Sequence, residues 1–243
     1  MSRPRYKRIV LKLSGEVLSG GRSVISPDIV NKLTDEIIEI HSYGIDVGIV
    51  IGGGNIVRGE EAVERLGIER TQADYMGMLA TVINSLAVQS ALEKKGVFTR
   101  VMTAIPMANV AESYIRRRAI RHLEKGRIVI FSCGTGNPYF STDTAAALRA
   151  IEINADIVMK GTKVDGVFNG DPVKNKDAVL LHKVSYLQFI RNGYRALDTT
   201  AVSLCMENNL PIAVFNLYKK DNMKNIIMGK DVGTIIDSGG DNE

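Results

Sequence analysis

The sequence is poor in cysteine and histidine, the residues that build disulfide frameworks and zinc sites. Among its 243 residues, the two cysteines, Cys133 and Cys205, match neither a metal-ligand spacing nor a disulfide framework. The three histidines, His41, His122 and His182, are too scattered to form a metal motif. We therefore expect no metal ion held by the protein's own side chains.

Signals for secretion, membrane insertion and acyl transfer are also missing. Arg3, Arg5, Lys7 and Arg8 precede only a short apolar run, so we expect no signal peptide. No apolar run approaches the length of a membrane span, and no G-x-S-x-G motif exposes a serine nucleophile. These absences predict a cytoplasmic protein without a membrane partner.

The composition is that of an ordinary globular protein. Hydrophobic residues make up 45% of the chain and charged residues 24%, and 243 residues can bury a sizeable core as one large domain or as two lobes. The net charge of +4 helps to attract anionic ligands, but it does not by itself identify a nucleic-acid-binding protein.

Apolar strand patterns alternate with helical patterns along the chain. Strands are predicted over residues 8–13, 47–51, 97–101, 127–131, 155–160, 211–215 and 233–236. Helices are predicted to begin near Pro27, Thr71, Tyr114, Thr142, Ser185, Asp198 and Asp221. This alternation predicts an α/β fold, a three-layer αβα sandwich around a mostly parallel sheet.

The predicted helix over residues 71–95 carries apolar side chains around most of its circumference. We therefore expect it to be buried centrally or in a subunit interface. Asp74, near its start, is the exception. The carboxylate of Asp74 is either an acceptor for the hydroxyls of a sugar or a first-turn acid favoured by the helix dipole.

Three successive glycines, Gly52, Gly53 and Gly54, follow the predicted strand at residues 47–51. They cost backbone entropy, and they favour a loop whose N–H groups approach a ligand closely over a flexible surface turn. Arg58 follows within reach and is suited to clamp a phosphoryl oxygen. No GK[ST] follows the glycines, and G-x-G-x-x-G is absent, so the loop is neither a P-loop nor a dinucleotide fingerprint.

A second loop, residues 134–143, connects a predicted strand to a predicted helix. Its helix N-terminus offers unpaired N–H groups and the positive end of the helix dipole, which suit a phosphate. Tyr139 and Phe140 offer flat apolar surface for a ring. The alternative is an ordinary strand-to-helix turn in which Ser141 or Thr142 is the N-cap.

Two predicted strands end in a lysine, Lys12 and Lys160. Lys12 either meets phosphates above the sheet edge or extends to solvent. Ligands of parallel sheets bind over the C-terminal ends of strands, where both lysines and both glycine loops lie. A cleft of cations and glycine loops without an evident general base predicts phosphoryl transfer.

The segment after Lys160 has two interpretations. Met159 and Phe168 are suited to enclose a purine, while Lys160, Lys163, Thr162 and Asp171 address its ribose and phosphates. The alternative is two ordinary turns. The arginine-rich stretch 116–127 is favoured as a solvated helix face or an inter-subunit anion site, because it lacks the stacking aromatics of a nucleic-acid patch.

Six segments together resemble one family. They are K-L-S-G-E at 12–16, V-I-G-G-G-N at 50–55, R-G at 58–59, D-Y-M-G-M-L-A-T at 74–81, G-T-G-N-P-Y-F-S-T-D at 134–143 and K-V-D-G-V-F at 163–168. In this order they resemble the bacterial uridylate (UMP) kinases, which belong to the amino-acid-kinase superfamily and not to the P-loop kinases. The resemblance covers nearly the whole chain.

The resemblance implies a role for each matching position. The implied catalytic residues are Lys12, Arg58, Asp143, which orients the lysines, and Lys160. The implied ATP-binding residues are Lys12, Leu13, Ser14, Gly15, Gly54, Arg58, Thr162, Lys163, Phe168 and Asp171. The implied UMP-binding residues are Gly53, Asp74, Thr135, Gly136, Asn137, Pro138, Tyr139, Phe140, Ser141 and Thr142.

The same resemblance implies the reaction and its partners. The expected activity is ATP-dependent phosphorylation of UMP to UDP in pyrimidine nucleotide biosynthesis, with Mg²⁺ carried in by ATP. The expected organisation is a single domain over residues 1–243, with an acceptor-binding lobe at about 1–155 and an ATP-binding lobe at about 156–243. A homohexamer built as a trimer of dimers, activation by GTP and inhibition by UTP are also implied.

Some positions depart from the family pattern. Gln89 and Glu93 stand where many members have an arginine and a histidine on the helix tied to the GTP response. Residues 20–26 lack the frequent G-x-G-[IL]-D form, whereas the implied allosteric residues Arg100 and Arg127 are retained. We therefore expect a weakened or altered response to GTP.

Three alternatives to a UMP kinase stay open at this point. The first is a related kinase that phosphorylates a carboxylate or carbamate, against which the loop at 134–143 and Asp74 count. The second is a nucleotide-binding storage or regulatory protein without turnover, against which Lys12, Arg58, Asp143 and Lys160 count. The third is nucleic-acid binding through residues 116–127 as a secondary activity.

Overall fold

The computed structural model describes residues 3–20, 23–170, 172, 174–175 and 177–239. Its strands are β1 (Arg8–Leu13), β2 (Asp46–Ile51), β3 (Thr99–Thr103), β4 (Glu112–Ser113), β5 (Ile128–Ser132), β6 (Ile157–Thr162), β7 (Val167–Phe168), β8 (Leu180–Leu181), β9 (Lys183–Ser185), β10 (Ile212–Asn216) and β11 (Thr234–Asp237). Its α-helices are α1 (Pro27–Ser42), α2 (Gly59–Leu66), α3 (Arg70–Lys94), α4 (Arg116–Glu124), α5 (Thr142–Glu152), α6 (Tyr186–Arg191), α7 (Thr199–Glu207) and α8 (Asn222–Ile227), and a 3-10 helix spans Gly15–Leu18.

Nine of these strands form one sheet in the order β4-β3-β5-β2-β1-β6-β10-β11-β9. Neighbouring strands are parallel except β10 and β11, which are antiparallel. The short strands β7 and β8 form a separate antiparallel pair. The predicted mostly parallel sheet is therefore confirmed.

Helices cover both faces of the sheet because side chains along a strand alternate between them. On β1, the side chains of Ile9, Leu11 and Leu13 pack into the core formed with α1, α3 and α8. Val10 points the other way, into the core formed with α4, α5, α6 and α7. Each of these aliphatic side chains is fully buried, which contributes about 1.5–3 kcal/mol to folding. The predicted three-layer αβα sandwich is confirmed.

Helix α1 begins at the residue predicted from the sequence and ends before a glycine in the left-handed conformation. Pro27 is the first residue of α1 and Ser26 occupies its N-cap position, but the Ser26 side chain makes no capping hydrogen bond. Gly44 ends this helix with φ +81° and donates its N–H to the His41 carbonyl. Helix α2 was not predicted from the sequence. The short strands β4, β7, β8 and β9 were not predicted either, because two- or three-residue strands carry no readable period.

Helix α3 is buried along only part of its surface. Four apolar side chains, Tyr75, Leu79, Ile83 and Leu86, are 36–51% exposed and form one stripe along the helix. By length and composition alone, α3 is apolar enough to cross a membrane, with a mean hydropathy of 1.2 over 18 residues, which the sequence analysis overlooked. Half of that window is buried inside the protein.

Candidate active site

The candidate active site lies at the edge of the sheet where β1, β2, β5 and β6 end. These strands are parallel, so the loops that follow them leave the sheet at the same edge. Strands β2 and β6 flank β1 on opposite sides, and their connections therefore diverge and open a crevice. The structure brings Lys12, the triple glycine, residues 134–143 and Lys160 together around this crevice.

Lys12 and Lys160 are direct neighbours across the β1–β6 pair. Val10 on β1 and Val158 on β6 both face α5, and each lies two positions before one of the lysines. Side chains two positions apart on a strand share a face, so both lysines point to the face that α5 covers. Lys12 is 7% exposed, so the interpretation in which it extends to solvent is wrong. Two ammonium groups thus stand side by side at the end of the central strands.

Asp143, in the first turn of α5, neutralises part of this charge. Its Oδ1 lies 2.6 Å from the Lys12 Nζ, outside hydrogen-bond geometry, and its Oδ2 accepts a hydrogen bond from the Lys160 Nζ. Burial raises the pKa of Asp143, but the two ammoniums outweigh burial and leave the pKa below its ordinary value. The cluster keeps one net positive charge, which suits a phosphoryl group.

Asp198, at the N-cap position of α7, is a carboxylate that the sequence analysis treated only as a helix start. Its Oδ2 accepts a hydrogen bond from the Ser141 Oγ instead of capping its own helix. Burial and the neighbouring Asp143 raise the pKa of Asp198, against the effect of Lys160 and Lys12. Burial and the Lys12 charge, opposed by Asp143, lower the pKa of Lys160. Asp198 therefore belongs to the electrostatic surroundings of the lysine pair.

The glycines of the crevice are required by packing as well as by ligand approach. A Cβ on Gly15 would lie 2.5 Å from the Gly52 carbonyl oxygen, and one on Gly53 would lie 2.5 Å from the Gly77 carbonyl oxygen of α3. A Cβ on Gly54 would meet only the Arg58 Cγ, at 3.9 Å. Gly54 is thus the member of the triple glycine whose open space is available to a ligand.

A buried amide pair holds the triple-glycine loop, and the sequence analysis missed it. Asn84 on α3 is fully buried and donates to the Gly52 carbonyl at 2.8 Å and to the Asn55 Oδ1 at 2.7 Å. The Asn55 amide donates in return to the Asn84 Oδ1 at 3.0 Å and to the Val24 carbonyl at 2.8 Å. The interaction could have been anticipated from the sequence, because Asn84 stands in the middle of an apolar helix and a buried polar side chain needs hydrogen-bond partners.

Glu16 connects two predicted phosphate ligands across the crevice. One carboxylate oxygen is ion-paired with Arg58, and the other lies 2.9 Å from the Lys163 Nζ. Arg58 also lies 3.3 Å from Glu61 on α2. All these side chains are at least 30% exposed, so water weakens the pairs and the cations remain free to exchange partners. Glu16 was part of the K-L-S-G-E motif but received no role from it.

Asp74 faces the loop at residues 134–143. Its Oδ2 accepts the Tyr139 backbone N–H at 2.8 Å, and its Oδ1 accepts from the Arg70 Nε at 2.9 Å. Helix α3 begins at Arg70, so the alternative that Asp74 is a first-turn acid is wrong. A cavity of about 210 Å³ lies between the two elements. Its lining includes the predicted acceptor residues Gly53, Asp74, Phe140, Ser141 and Thr142, together with Gly134.

The loop itself combines an unusual backbone with an ordinary helix cap. Cys133, Gly134, Gly136 and Tyr139 all have positive φ, between 56° and 86°. Ser141 caps α5 by accepting the N–H groups of residues 143 and 144, so the N-cap alternative is correct for this serine. The other predicted acceptor residues lie in the same loop between Gly134 and Tyr139; they are Thr135, Asn137 and Pro138.

A larger cavity, about 530 Å³, lies on the β6 side of the crevice and is lined by Phe168 and by a loop at residues 192–196 that the sequence did not indicate. Met159 is fully buried in the core on the opposite face of the sheet, so its predicted contact with a purine is wrong. Successive side chains of a strand point to opposite faces of the sheet, so Met159 cannot face the crevice when Lys160 does. The Thr162 hydroxyl accepts the Val164 N–H at 3.2 Å. Asp171 lies outside the described residues.

Leu13 and Ser14 are the remaining predicted nucleotide ligands near β1. The Leu13 side chain is fully buried, and its carbonyl accepts the Gly52 N–H at 2.8 Å. Ser14 caps the 3-10 helix by accepting the Glu16 N–H at 3.3 Å. The Leu13 carbonyl and the Ser14 hydroxyl are therefore engaged within the chain.

Arg100 and Arg127, the predicted allosteric residues, lie at the opposite edge of the sheet, where β3 and β5 begin. Arg100 is 3.4 Å from Glu93 and 3.6 Å from Glu112. Arg127 donates to the His122 Nδ1 at 2.9 Å, and the other ring nitrogen of His122 donates to Glu112 at 3.0 Å. These cations therefore already have partners within the chain.

Comparison with known proteins agrees with this architecture. The model of the amino acid kinase family matches residues 7–216. The chain is similar to the crystal structure of UMP kinase from Bacillus anthracis, with 43% identity, a TM-score of 0.93 and 97% of each chain covered. It is similar to UMP kinase from Ureaplasma parvum at 37% identity and TM-score 0.90, over 96% of this chain and 100% of that one.

A more distant similarity extends to uridylate kinase from Archaeoglobus fulgidus, at 27% identity and TM-score 0.74, over 94% of this chain and 99% of that one. The resemblance drawn from the sequence motifs is confirmed by these matches. Because the family match spans most of the chain and the relatives are covered almost end to end, the chain belongs to the amino acid kinase family.

Proposed function

We propose that this chain transfers the γ-phosphoryl group of ATP to UMP and releases UDP and ADP. The observation that carries the proposal is the pair of lysine ammoniums that shares one buried carboxylate at the crevice. Such a cluster neutralises the charge of a transferred phosphoryl group, which is the main catalytic requirement of this reaction. The similarity to UMP kinases over nearly the whole chain supports UMP as the acceptor.

In the proposed complex, the two nucleotides approach from opposite sides of β1. ATP lies against the ATP-binding lobe predicted from residue 156 onward, with its adenosine near Thr162 and Phe168. Its phosphates lie near the 12–15 segment, Gly54, Arg58 and Lys163. UMP lies against residues 1–155, between Gly53, Asp74 and the loop at 135–142. This division follows the predicted lobes, and the cavities on the two sides of the crevice have room for a ligand.

The transfer requires positioning more than proton chemistry. A phosphate oxygen of UMP attacks the γ-phosphorus of ATP while the bond to the β,γ-bridging oxygen breaks. The attacking oxygen is already negative at neutral pH, because the second pKa of a phosphate monoester is about 6. Lys12 and Lys160 stabilise the charge of the transferred group, and Arg58 can move from Glu16 to a phosphoryl oxygen. Asp143 orients the lysines and is not the base.

We propose that Mg²⁺ enters with ATP. The donor set of the crevice fits a metal carried by the nucleotide, because each oxygen of Asp143 already faces an ammonium. Among the described residues, no group of three histidine, cysteine or carboxylate side chains is arranged to hold a metal ion. When bound, the metal would supply positive charge to the ATP phosphates, beside the Lys12 and Arg58 side chains proposed to hold them.

The first test is an ADP-release assay with ATP, Mg²⁺ and a panel of UMP, CMP, dUMP, GMP and AMP. We expect turnover with UMP, and Lys12→Ala should lower kcat by about 10²-fold or more, because a group that stabilises the transition-state charge is lost. Lys183→Ala, at an exposed lysine of β9, is the control and should turn over normally. Tight nucleotide binding without turnover would favour the regulatory alternative, and normal turnover by Lys12→Ala would remove Lys12 from its role.

The second prediction concerns Asp143→Asn. The substitution leaves two buried ammoniums without a counter-charge, so we expect a loss of about 3 kcal/mol in the free energy of unfolding and a large loss of kcat. Asp165→Asn is the matched control. Asp165 is 39% exposed and lies 2.8 Å from Lys219, so its loss should cost less than about 1 kcal/mol. Urea unfolding of the wild type, Asp143→Asn and Asp165→Asn measures the two losses of stability, and the ADP-release assay measures kcat.

The pH dependence of that difference follows from the lowered pKa of Asp143. Its stabilisation is fully present above the unfolded-state pKa of about 3.9, and it is lost as the pH falls through the lower folded-state pKa. The stability gap between wild type and Asp143→Asn should therefore shrink below about pH 4. A gap that persists at lower pH, or equal losses in Asp143→Asn and Asp165→Asn, would contradict the buried cluster.

The proposal includes inhibition by UTP and a weak response to GTP. Arg100 is close to Glu93 and Glu112, and Arg127 is bonded to His122, so an anionic effector must compete with internal partners. In a steady-state titration, we expect GTP to change kcat/KM by less than about fivefold, the low end of typical allosteric coupling. Glu93→Gln should enlarge the response, with Glu64→Gln on α2 as control. Strong, saturable activation of the wild type would refute this.

We also propose self-association through the stripe on α3, as part of a hexamer built from dimers. The support is the contiguous exposed side chains of Tyr75, Leu79, Ile83 and Leu86. Leu79→Arg should reduce the mass measured by sedimentation velocity, because a buried unpaired charge is costly. Leu66→Arg, at a 62% exposed position of α2, is the matched control and should leave the mass unchanged. A monomeric wild type at micromolar concentration would contradict the proposal.

A further inference from the structure

A buried arginine, Arg149, connects the last turn of α5 to the loop that precedes this helix. Its side chain is 6% exposed. One guanidinium nitrogen donates to the Glu152 Oε2 at 2.6 Å, and another donates to the Gly134 carbonyl at 3.3 Å. The guanidinium also lies over the Tyr114 ring, 3.9 Å from its centroid. None of the catalytic roles described above uses this residue.

The surroundings of Arg149 fix its position. A buried cation is tolerated only when it is paired and hydrogen-bonded, and here a carboxylate, a carbonyl and an aromatic face share that task. The Tyr114 hydroxyl donates to the same Glu152 oxygen at 2.7 Å. Tyr114 in turn contacts Phe131 of β5 edge-on, with ring centroids 5.7 Å apart. The guanidinium is therefore held rigidly against the strand that leads into the loop.

The Gly134 carbonyl belongs to a loop with an unfavourable backbone conformation, so a hydrogen bond to it affects the shape of the loop. Positive φ at Cys133 and Tyr139 is unfavourable for residues with a Cβ, so their loop persists only where its surroundings hold it. Side chains from distant elements supply this support, and one of them is the Thr81 hydroxyl of α3, which accepts the Cys133 N–H at 2.8 Å. Arg149 binds the carbonyl at the start of the loop, and Asp74 binds the Tyr139 N–H near its end. Gly134 and Phe140, near the two ends of this loop, line the cavity of about 210 Å³ on the acceptor side of the crevice.

We propose that Arg149 is a positioning residue for the acceptor nucleotide: its bond to the Gly134 carbonyl holds residues 134–140 in the shape that binds UMP. This inference rests on the proposed function for the identity of the ligand. Arg149 itself touches neither nucleotide. Its effect reaches the acceptor through the loop backbone, so loss of the bond weakens UMP binding and leaves ATP binding unchanged.

The test is Arg149→Lys in the full-length protein. Lysine keeps the charge and can still pair with Glu152, so the fold is retained, but it lacks the planar fork that reaches Glu152 and Gly134 together. We expect the Kd for UMP, measured by calorimetry without ATP, to rise about tenfold, the loss typical of a charge-assisted hydrogen bond. The KM for ATP should stay within about twofold, and amide exchange should rise within residues 133–141.

Two control variants separate positioning from general stability. Arg121→Lys makes the same change at a 66% exposed arginine of α4 and should alter neither Kd nor exchange. Tyr114→Phe removes the hydroxyl bond to Glu152 but keeps the ring and the Gly134 bond, so UMP affinity should stay within about twofold of wild type. An equal loss in Tyr114→Phe would assign the effect to the whole network and overturn the proposal.

The remaining outcomes are also decisive. Unchanged UMP affinity in Arg149→Lys, or parallel losses for UMP and ATP, would show that Arg149 only stabilises the fold. Increased exchange throughout α5 instead of in the loop would do the same. If the wild type binds no UMP, the proposed function fails. The exchange difference between wild type and Arg149→Lys still tests whether Arg149 holds the loop, because it requires no nucleotide.

Discussion

The active site depends on one interaction, the sharing of the buried Asp143 carboxylate by Lys12 and Lys160. Two ammoniums on adjacent strands repel each other and lose hydration when buried, and neither cost is acceptable without a carboxylate between them. The β1–β6 register places the lysines side by side, and the start of α5 places the acid beside both. The sheet order is therefore also the condition for the chemistry.

The walls of the crevice are built by contacts between elements that are distant in the chain. Asn84 on α3 holds the triple-glycine loop, and the missing Cβ of Gly53 lets that loop approach α3. Asp74 on α3 and Arg149 on α5 hold the two ends of the acceptor loop. The loops carry the predicted ligand-binding residues, whereas the helices behind them determine the loop shape, so substitutions in either should affect the site.

Most of the fold and part of the site were predictable. The strand at residues 8–13 and the Pro27 helix start were located correctly, and Ser141 was one of two candidates for the cap of α5, because each depends on neighbours within a few residues. Met159 was misplaced, since a purine contact was inferred from residue type without applying the strand alternation. Asp198 and Glu16 were not assigned to the site, because their partners lie 57 and 147 residues away.

The sequence by itself determined the alternation of strands and helices, the glycine loops, the two strand-terminal lysines and the family. All of these are local patterns or ordered motifs. Only the tertiary structure decided that Lys12 and Lys160 face the same helix, that Asp143 pairs with both, and that α3 leaves an apolar stripe exposed. The reason is physical: which distant side chains meet depends on strand order, register and face, and no short segment of the chain encodes these.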